Sequence, residues 1–540
     1  MEKRALIAVV LSLLILIVYQ EWVVRYYGSP PPLPGEKKEA EKPVAPPPRV
    51  EEKPGDVKTL STLKEQGIKE QRIKEVKVET DLYEAVFTNQ GARLESFILK
   101  RYRTTVGEQG TLLEMISHTP GVPYPLGLKF DGPAPFDDEG IVYSIKGSGL
   151  KLTGDAKGSL VFEGRTSSGA TLKKEFTFTG SSYSISIQIS LARVEGSPGL
   201  VLTSEEDPSG SARGAAFEGA LALVGNKIRR ESISGIKKGM QLVGAIPWAG
   251  FGYTYFLFAA LPENGTEQKV DIKQIGPAAV MMEMSGAAAP KPGEEIRYTL
   301  FIGPKDFEGL KSMGKGLERS IDFGWFGFVS VPLLYVLRFF HRFTGTYGID
   351  IILLTVVIKL LMWPLTHKSF VSMKQMQKLQ PQMERIKEKF KDDREKLNKE
   401  IMELYRRNKV NPLGGCLPMV LQMPVFIGLY NALRTPIELR QASFLWIKDL
   451  SRPDWESLPM ILGTWHVGIP ILTLLMGGSM FLQQWMTPSA GDPNQRRMML
   501  MMPAMFTVMF INFPSGLTIY WLVNNVLSIA QQYWINRMVR

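Results

Sequence analysis

One cysteine, Cys416, and four scattered histidines in 540 residues leave no intrachain disulfide, no cysteine metal cluster and no histidine pair at metal-ligand spacing. Across 76–305 there is no Gly-rich phosphate loop ahead of a helix, no paired histidines and no nucleophile elbow. Those gaps remove the usual signatures of nucleotide, zinc and acyl-transfer chemistry. A uniform globular composition is missing too. Charged residues crowd the middle of the chain and apolar runs fill both ends, so a mean hydropathy near zero averages a soluble part and a membrane part. The net charge of +11 is assigned to contact with anionic lipid head groups, and no direct nucleic-acid recognition is predicted.

What is present begins with MEKR followed by ALIAVVLSLLILIVYQEWVV, an apolar run of about 20 residues, the length that spans a bilayer. It ends in Trp22, Val23, Val24, Arg25, Tyr26 and Tyr27 rather than a small-residue cleavage site. The expectation is an uncleaved transmembrane anchor over 1–27, with Lys3 and Arg4 keeping the N-terminus cytoplasmic. Residues 28–75, rich in Pro, Lys and Glu, read as a disordered linker, because such a composition buries too little apolar surface to offset its ordering entropy. From 76 to 305 the period becomes two. Ile185, Ile187, Ile189 and Leu191 alternate with Ser186, Gln188 and Ser190, and Ile296, Tyr298, Leu300 and Ile302 repeat the pattern. This predicts a large antiparallel β-sandwich with one face in a core and the other in water.

Residues 306–345 read as a short helical connector and an amphipathic helix lying in the membrane interface, on the strength of its aromatics, Pro332 and the basic cluster Arg338, His341 and Arg342. Five further spans are expected near 348–366, 412–434, 458–484, 498–513 and 515–536. With the anchor they make six and place both termini in the cytoplasm. Segment 368–410 carries 13 Lys and Arg against 7 Asp and Glu and is assigned inside, as the positive-inside rule requires. Apolar residues there recur at helical spacing as Met373, Met376, Leu379, Met383 and Ile386, then Leu397, Ile401 and Leu404. With Asp392 and Asp393 as a turn, they predict a cytoplasmic helical hairpin within a five-helix core at 346–540.

Polar groups inside the spans carry the chemistry. Thr355 and Lys359 lie one turn apart on the same helix face. Gln422 sits mid-span, and Asn524 and Ser528 share a face with Asn525 beside them. Facing lipid, such groups are penalised; facing one another, they line a cavity wetted from the cytoplasm. Lys359 alone is equally compatible with snorkelling of its ammonium to the interface. The companions at similar depth favour the cavity.

The runs TVVIKLLMWPLTHKSFVSMKQMQKLQP, NPLGGCLPMVLQMPVF and FPSGLTIYWLVNNVLSIAQQ resemble the YidC family of membrane protein insertases, in the Gram-negative form with a large periplasmic domain. The resemblance implies an insertase and chaperone, not an enzyme. It would pass nascent membrane proteins into the bacterial inner membrane, alone or with the Sec translocon and the translating ribosome. It further implies six transmembrane helices beside an all-β periplasmic domain of sugar-binding super-sandwich type, with no metal or cofactor. Thr355, Gln422, Tyr520, Trp521 and Asn524 match groove or substrate-contact positions of the family. Lys359 stands where the family usually has arginine, a departure that keeps charge but gives up bidentate capture of a carboxylate. The chief competing reading is a solute or proton-coupled transporter using Lys359 as relay. It lacks the inverted repeats such folds show.

Overall fold

The computed structural model describes residues 73–538 apart from short internal stretches. The expected anchor at 1–27, and the expected linker as far as residue 72, lie outside the described residues.

Among the described residues, strands from Glu75 to Pro304 build three sheets of five, nine and six strands. Strand Thr171–Thr179 pairs antiparallel with Lys157–Arg165 on one side and Ser184–Ala192 on the other, and Ile296–Pro304 follows. Alternation sets this register: Phe176 faces Ile187 and Leu160, all fully buried, while Glu175 and Thr177 between them are partly exposed. Among the described residues, the domain's one parallel pairing joins Glu75–Glu79 to Leu150–Lys151. The sheets close on aromatic rings, with Phe87 lying 4.8 Å from Phe176 and 5.7 Å from Phe178 in tilted and edge geometries, as ring quadrupoles favour.

One charged cluster sits inside this apolar core. Lys174 replaces an apolar residue between Leu172 and Phe176 on the buried face of its strand. Its ammonium reaches Asp138 Oδ2 at 2.6 Å and donates to the carbonyls of Gly91 at 2.6 Å and Leu126 at 2.8 Å. Asp138 also accepts from the Leu128 N–H and the Tyr143 hydroxyl, and Arg93 lies 3.5 Å away. Burial pulls the Lys174 ammonium below its ordinary range, opposed by the Asp138 charge.

Helix α1 (Phe307–Ser312) starts at Asp306, whose carboxylate accepts from Gly309 N. Helix α2 (Gly327–Thr344) follows and ends on Gly345 in the left-handed conformation. Phe328, Tyr335, Phe339 and Phe343 are exposed along one face of α2, while Ser330, Leu334 and Leu337 are buried on another. Arg338 bridges Asp306 at 2.7 Å and Glu438, tying the connector to the loop after the second core helix. Burial holds the Glu438 carboxyl above the usual range.

Helix α3 (Tyr347–Lys378) runs 32 residues without a break. Its start is crowded: a Cβ on Gly348 would lie 2.1 Å from the Phe444 ring, so only glycine fits. After Leu379 the chain restarts as α4 (Gln380–Lys389), with Pro381 in its first turn. Helix α5 (Arg394–Arg407) returns from an Asp393 cap. The two arms pack together, and Tyr405 donates to the Met383 sulfur at 2.9 Å. Then come α6 (Leu417–Arg434), α7 (Ile471–Met486), α8 (Pro493–Phe510) and α9 (Ser515–Met538).

The expected span 458–484 is only partly helical. Strands Pro459–Leu462 and Trp465–Gly468 pair as a hairpin, and the helix begins at Ile471, just after Pro470. A proline has no N–H to give a helix, so it marks the start rather than the interior. Helix α9 packs against both α3 and α7, and α8 packs against α7. Ile351, Leu354 and Ile358 of α3 meet Leu429 and Leu433 of α6, Leu472 and Met476 of α7 and Tyr520 of α9 in one core. Among the described residues, α3 alone has the length and apolarity to cross a bilayer by itself.

Candidate functional site

A lysine three turns into an apolar helix needs a reason to be there. Lys359 is 9% exposed, and its ammonium donates to Ser528 Oγ of α9 at 2.5 Å. That hydroxyl donates in turn to the Asn524 carbonyl at 2.7 Å. Among the described residues no carboxylate pairs with Lys359. Thr355, one turn earlier and fully buried, returns its hydroxyl to the Ile351 carbonyl at 2.6 Å, a back-bond that satisfies it within its own helix.

A second polar pair lies earlier along α9. Gln422 of α6 donates to the Tyr520 hydroxyl at 2.6 Å, with Tyr520 buried. Tyr520 precedes Ser528 by eight residues, about 12 Å along the helix. The polar groups therefore form a strip down one side of α9 rather than one compact pocket. Half-buried Trp521 flanks it, with its ring 5.0 Å from Phe426 and 5.5 Å from Phe510.

The structure brings Lys359 and Ser528 together, with Asn524 joined through its backbone carbonyl, and Gln422 with Tyr520. Asn525 lies apart from them, because its side chain donates to Ser479 of α7 at 3.0 Å on the other side of α9. Sequence reasoning missed the continuation of the strip, where buried Thr366 of α3 receives the Gln531 amide at 3.0 Å. The signal was present: Thr366 follows Lys359, and Gln531 follows Asn524, each by seven residues, two helical turns on the same face. Also missed was buried Asp350 near the start of α3, held by His341 at 2.7 Å and by the Thr344 hydroxyl.

Hydroxyls, amides and one ammonium offer attraction and hydrogen bonds along a path between helices. The sequence is matched by known proteins. The family described as 60Kd inner membrane protein matches residues 339–540, and the YidC periplasmic domain family matches residues 75–336. The membrane protein insertase YidC of Geotalea uraniireducens (strain Rf4) is 41% identical over 552 residues, covering 99% of this chain and 99% of that one. The chain belongs to the YidC family of membrane protein insertases. The YidC insertase of Syntrophus aciditrophicus (strain SB) is 39% identical, covering 99% of this chain and all of the relative. A solved structure of an active YidC insertase with its first transmembrane domain resolved covers 85% of this chain and 92% of its own, at 19% identity and a TM-score of 0.38. As a YidC-family member, the protein is a membrane protein insertase of the inner membrane, with a periplasmic domain and membrane proteins as its substrates.

Proposed function

We propose that the polar strip between α3, α6 and α9 is the groove that receives nascent membrane proteins from the cytoplasm and releases them into the bilayer. The observation that carries this reading is the Lys359 ammonium: buried, bonded to one hydroxyl and without a carboxylate among the described residues. An ammonium has three N–H donors, and a strip of neutral polar partners leaves its charge uncompensated for a passing acidic segment. Thr355, Gln422, Tyr520, Trp521, Asn524 and Ser528 complete the wall, with Asn525 setting how α9 seats on α7. The Sec translocon, the translating ribosome and anionic lipids are the further partners on this reading. Six spans with cytoplasmic termini and an outer β domain put the α4–α5 hairpin on the side where clients arrive.

Helix α2 lies in the outer interface on the same reading. Its exposed Phe328, Phe339 and Phe343 face lipid, and Arg338 turns toward Asp306 and Glu438. Spin labels at Phe328 should report shallow immersion, and a depth near the bilayer centre would overturn the assignment.

The deciding experiment compares Lys359→Arg and Lys359→Met in proteoliposomes with matched clients bearing acidic or neutral translocated tails. Attraction at a few ångströms in a partly wet site is on the order of 1–4 kcal/mol before desolvation is subtracted. Arginine should keep insertion of both clients, and methionine should slow the acidic one selectively. Equal rates for Lys359→Met and wild type on the acidic client would mean that Lys359 only anchors Ser528.

A further inference from the structure

Where the β domain meets the helices, a cavity of about 150 Å³ is lined by three cationic side chains from three separate segments: Arg230, Lys305 and Arg434. Among the described residues, Asp322 is the one acidic residue in the lining. Its carboxylate is already engaged, 3.7 Å from Arg230 and accepting from Gly324 N at 3.0 Å. Arg434, at the end of α6, lies over the Tyr430 ring and donates to that tyrosine's hydroxyl at 2.7 Å. Lys305 donates to the Tyr253 carbonyl at 2.5 Å, and Asn431 is fixed by the Phe323 carbonyl at 2.9 Å. Ser320 supplies an independent pointer. It is 3% exposed and lines the cavity, and its hydroxyl has no hydrogen-bond partner among the described residues. A buried hydroxyl is costly to leave unmade, and here it stands among cations.

Such a wall suits a small anion with several acceptor oxygens. The volume is well below the roughly 300–1,000 Å³ of pockets for drug-sized ligands, so a whole sugar or a peptide does not fit. We propose that this cavity binds the phosphate of an anionic phospholipid headgroup and thereby seats the β domain on the outer leaflet. Arginine and lysine are the side chains that hold phosphate. The location favours a lipid over free phosphate: Gly324 lines the cavity, and the next residue, Trp325, is 97% exposed at the start of α2, with Phe328 exposed beyond it. Aromatic rings in that position mark the head-group level. The inference rests on the reading that the Arg434 end of α6 faces the periplasm. It goes beyond general basic attraction to lipid by naming one site.

The test uses the full-length protein in nanodiscs of equal parts phosphatidylglycerol and phosphatidylcholine, with retained lipid counted by native mass spectrometry. Wild type should retain phosphatidylglycerol preferentially. Arg230→Gln with Arg434→Gln should lower that retention about tenfold or more, the scale of losing a charge-assisted hydrogen bond. Ser320→Ala removes only the unpartnered hydroxyl and should lower it less, which keeps the test decisive if the double variant misfolds. Lys151→Gln with Lys157→Gln, an equal charge loss on exposed strand residues, should change nothing. Equal retention by wild type, Ser320→Ala and the double variant would overturn the proposal, as would an equal loss in the lysine control. Displacement of the lipid by millimolar inorganic phosphate would overturn the lipid assignment. No client is present in this measurement, so its failure leaves the groove reading untouched, and failure of the Lys359 comparison leaves this one standing.

Discussion

Two of the buried lysines among the described residues, one in each half, are treated differently. Lys174 in the β domain is fully buried, with a carboxylate and two carbonyls around its ammonium. Lys359 in the helical core is nearly as buried and has one hydroxyl. The first is a closed arrangement in which every donor is matched, so it fixes how Gly91, Leu126 and Asp138 sit relative to the nine-stranded sheet. The second is open, and an open charge has capacity left for something that comes and goes. On the groove reading, burial alone does not separate a structural lysine from a working one; the count and sign of their partners do.

Breaking the closed arrangement should have the largest effect. Lys174→Met leaves Asp138 buried with its nearest compensating charge removed, and losing one partner of a buried pair costs about 3–5 kcal/mol. Denaturant unfolding followed by near-UV signals from the β domain should show that loss, with insertion by the surviving folded fraction unchanged. A cost below about 1 kcal/mol would mean that Arg93, 3.5 Å from Asp138, takes over.

Lys359→Met should do the reverse, slowing acidic clients while the melting transition stays within about 1 kcal/mol of wild type, because the site has no buried carboxylate to orphan. A large drop in stability would make Lys359 another structural lysine and erase the contrast. Next in size, Gln422→Leu strips the Tyr520 hydroxyl of its 2.6 Å donor. A buried group left without a partner costs about 1–3 kcal/mol, expected here as a lower melting temperature with little client selectivity. The smallest effect belongs to Ser528→Ala. Lys359 loses a neutral partner, the net worth of such a bond is about 0.5–1.5 kcal/mol, and client binding should tighten slightly if the ammonium becomes freer. Weaker binding would show that Ser528 aims the charge rather than occupying it.

The two lysines also differ in how far the sequence announced them. Lys359 interrupts an apolar run long enough to span a bilayer, so it is conspicuous in one dimension. Lys174 sits in Thr171–Thr179, where polar residues alternate with apolar ones and only the register decides which face is buried. Its partners lie 36 to 83 residues away in the chain. The alternation at 185–191 and 296–302 announced the sheets, but not that they would number three. The run at 458–484 read as one span because hydropathy does not distinguish a hairpin from a helix; Pro470 was the local mark of the true start. Adjacency in sequence groups Asn525 with Asn524, yet adjacent helical positions point about 100° apart, and Ser479 holds Asn525 elsewhere. The family motifs point to the residues of the proposed groove, and the i, i+7 continuation to Thr366 and Gln531 needed the packed helices to be recognised.

On the groove reading, the single hydroxyl beside Lys359 among the described residues also sets a clock. An insertase must let go of what it captures, and each 1.4 kcal/mol of added grip lengthens residence about tenfold when association rates are alike. On the groove reading, a neutral partner that only accepts from the ammonium lets an incoming carboxylate approach without first breaking an ion pair, and leaves nothing but solvation to be restored when the client departs. A carboxylate in place of Ser528 would turn every capture into an exchange reaction. Ser528 instead makes a 2.5 Å bond to the lysine without an opposing charge, and on the groove reading turnover is what that weak claim provides.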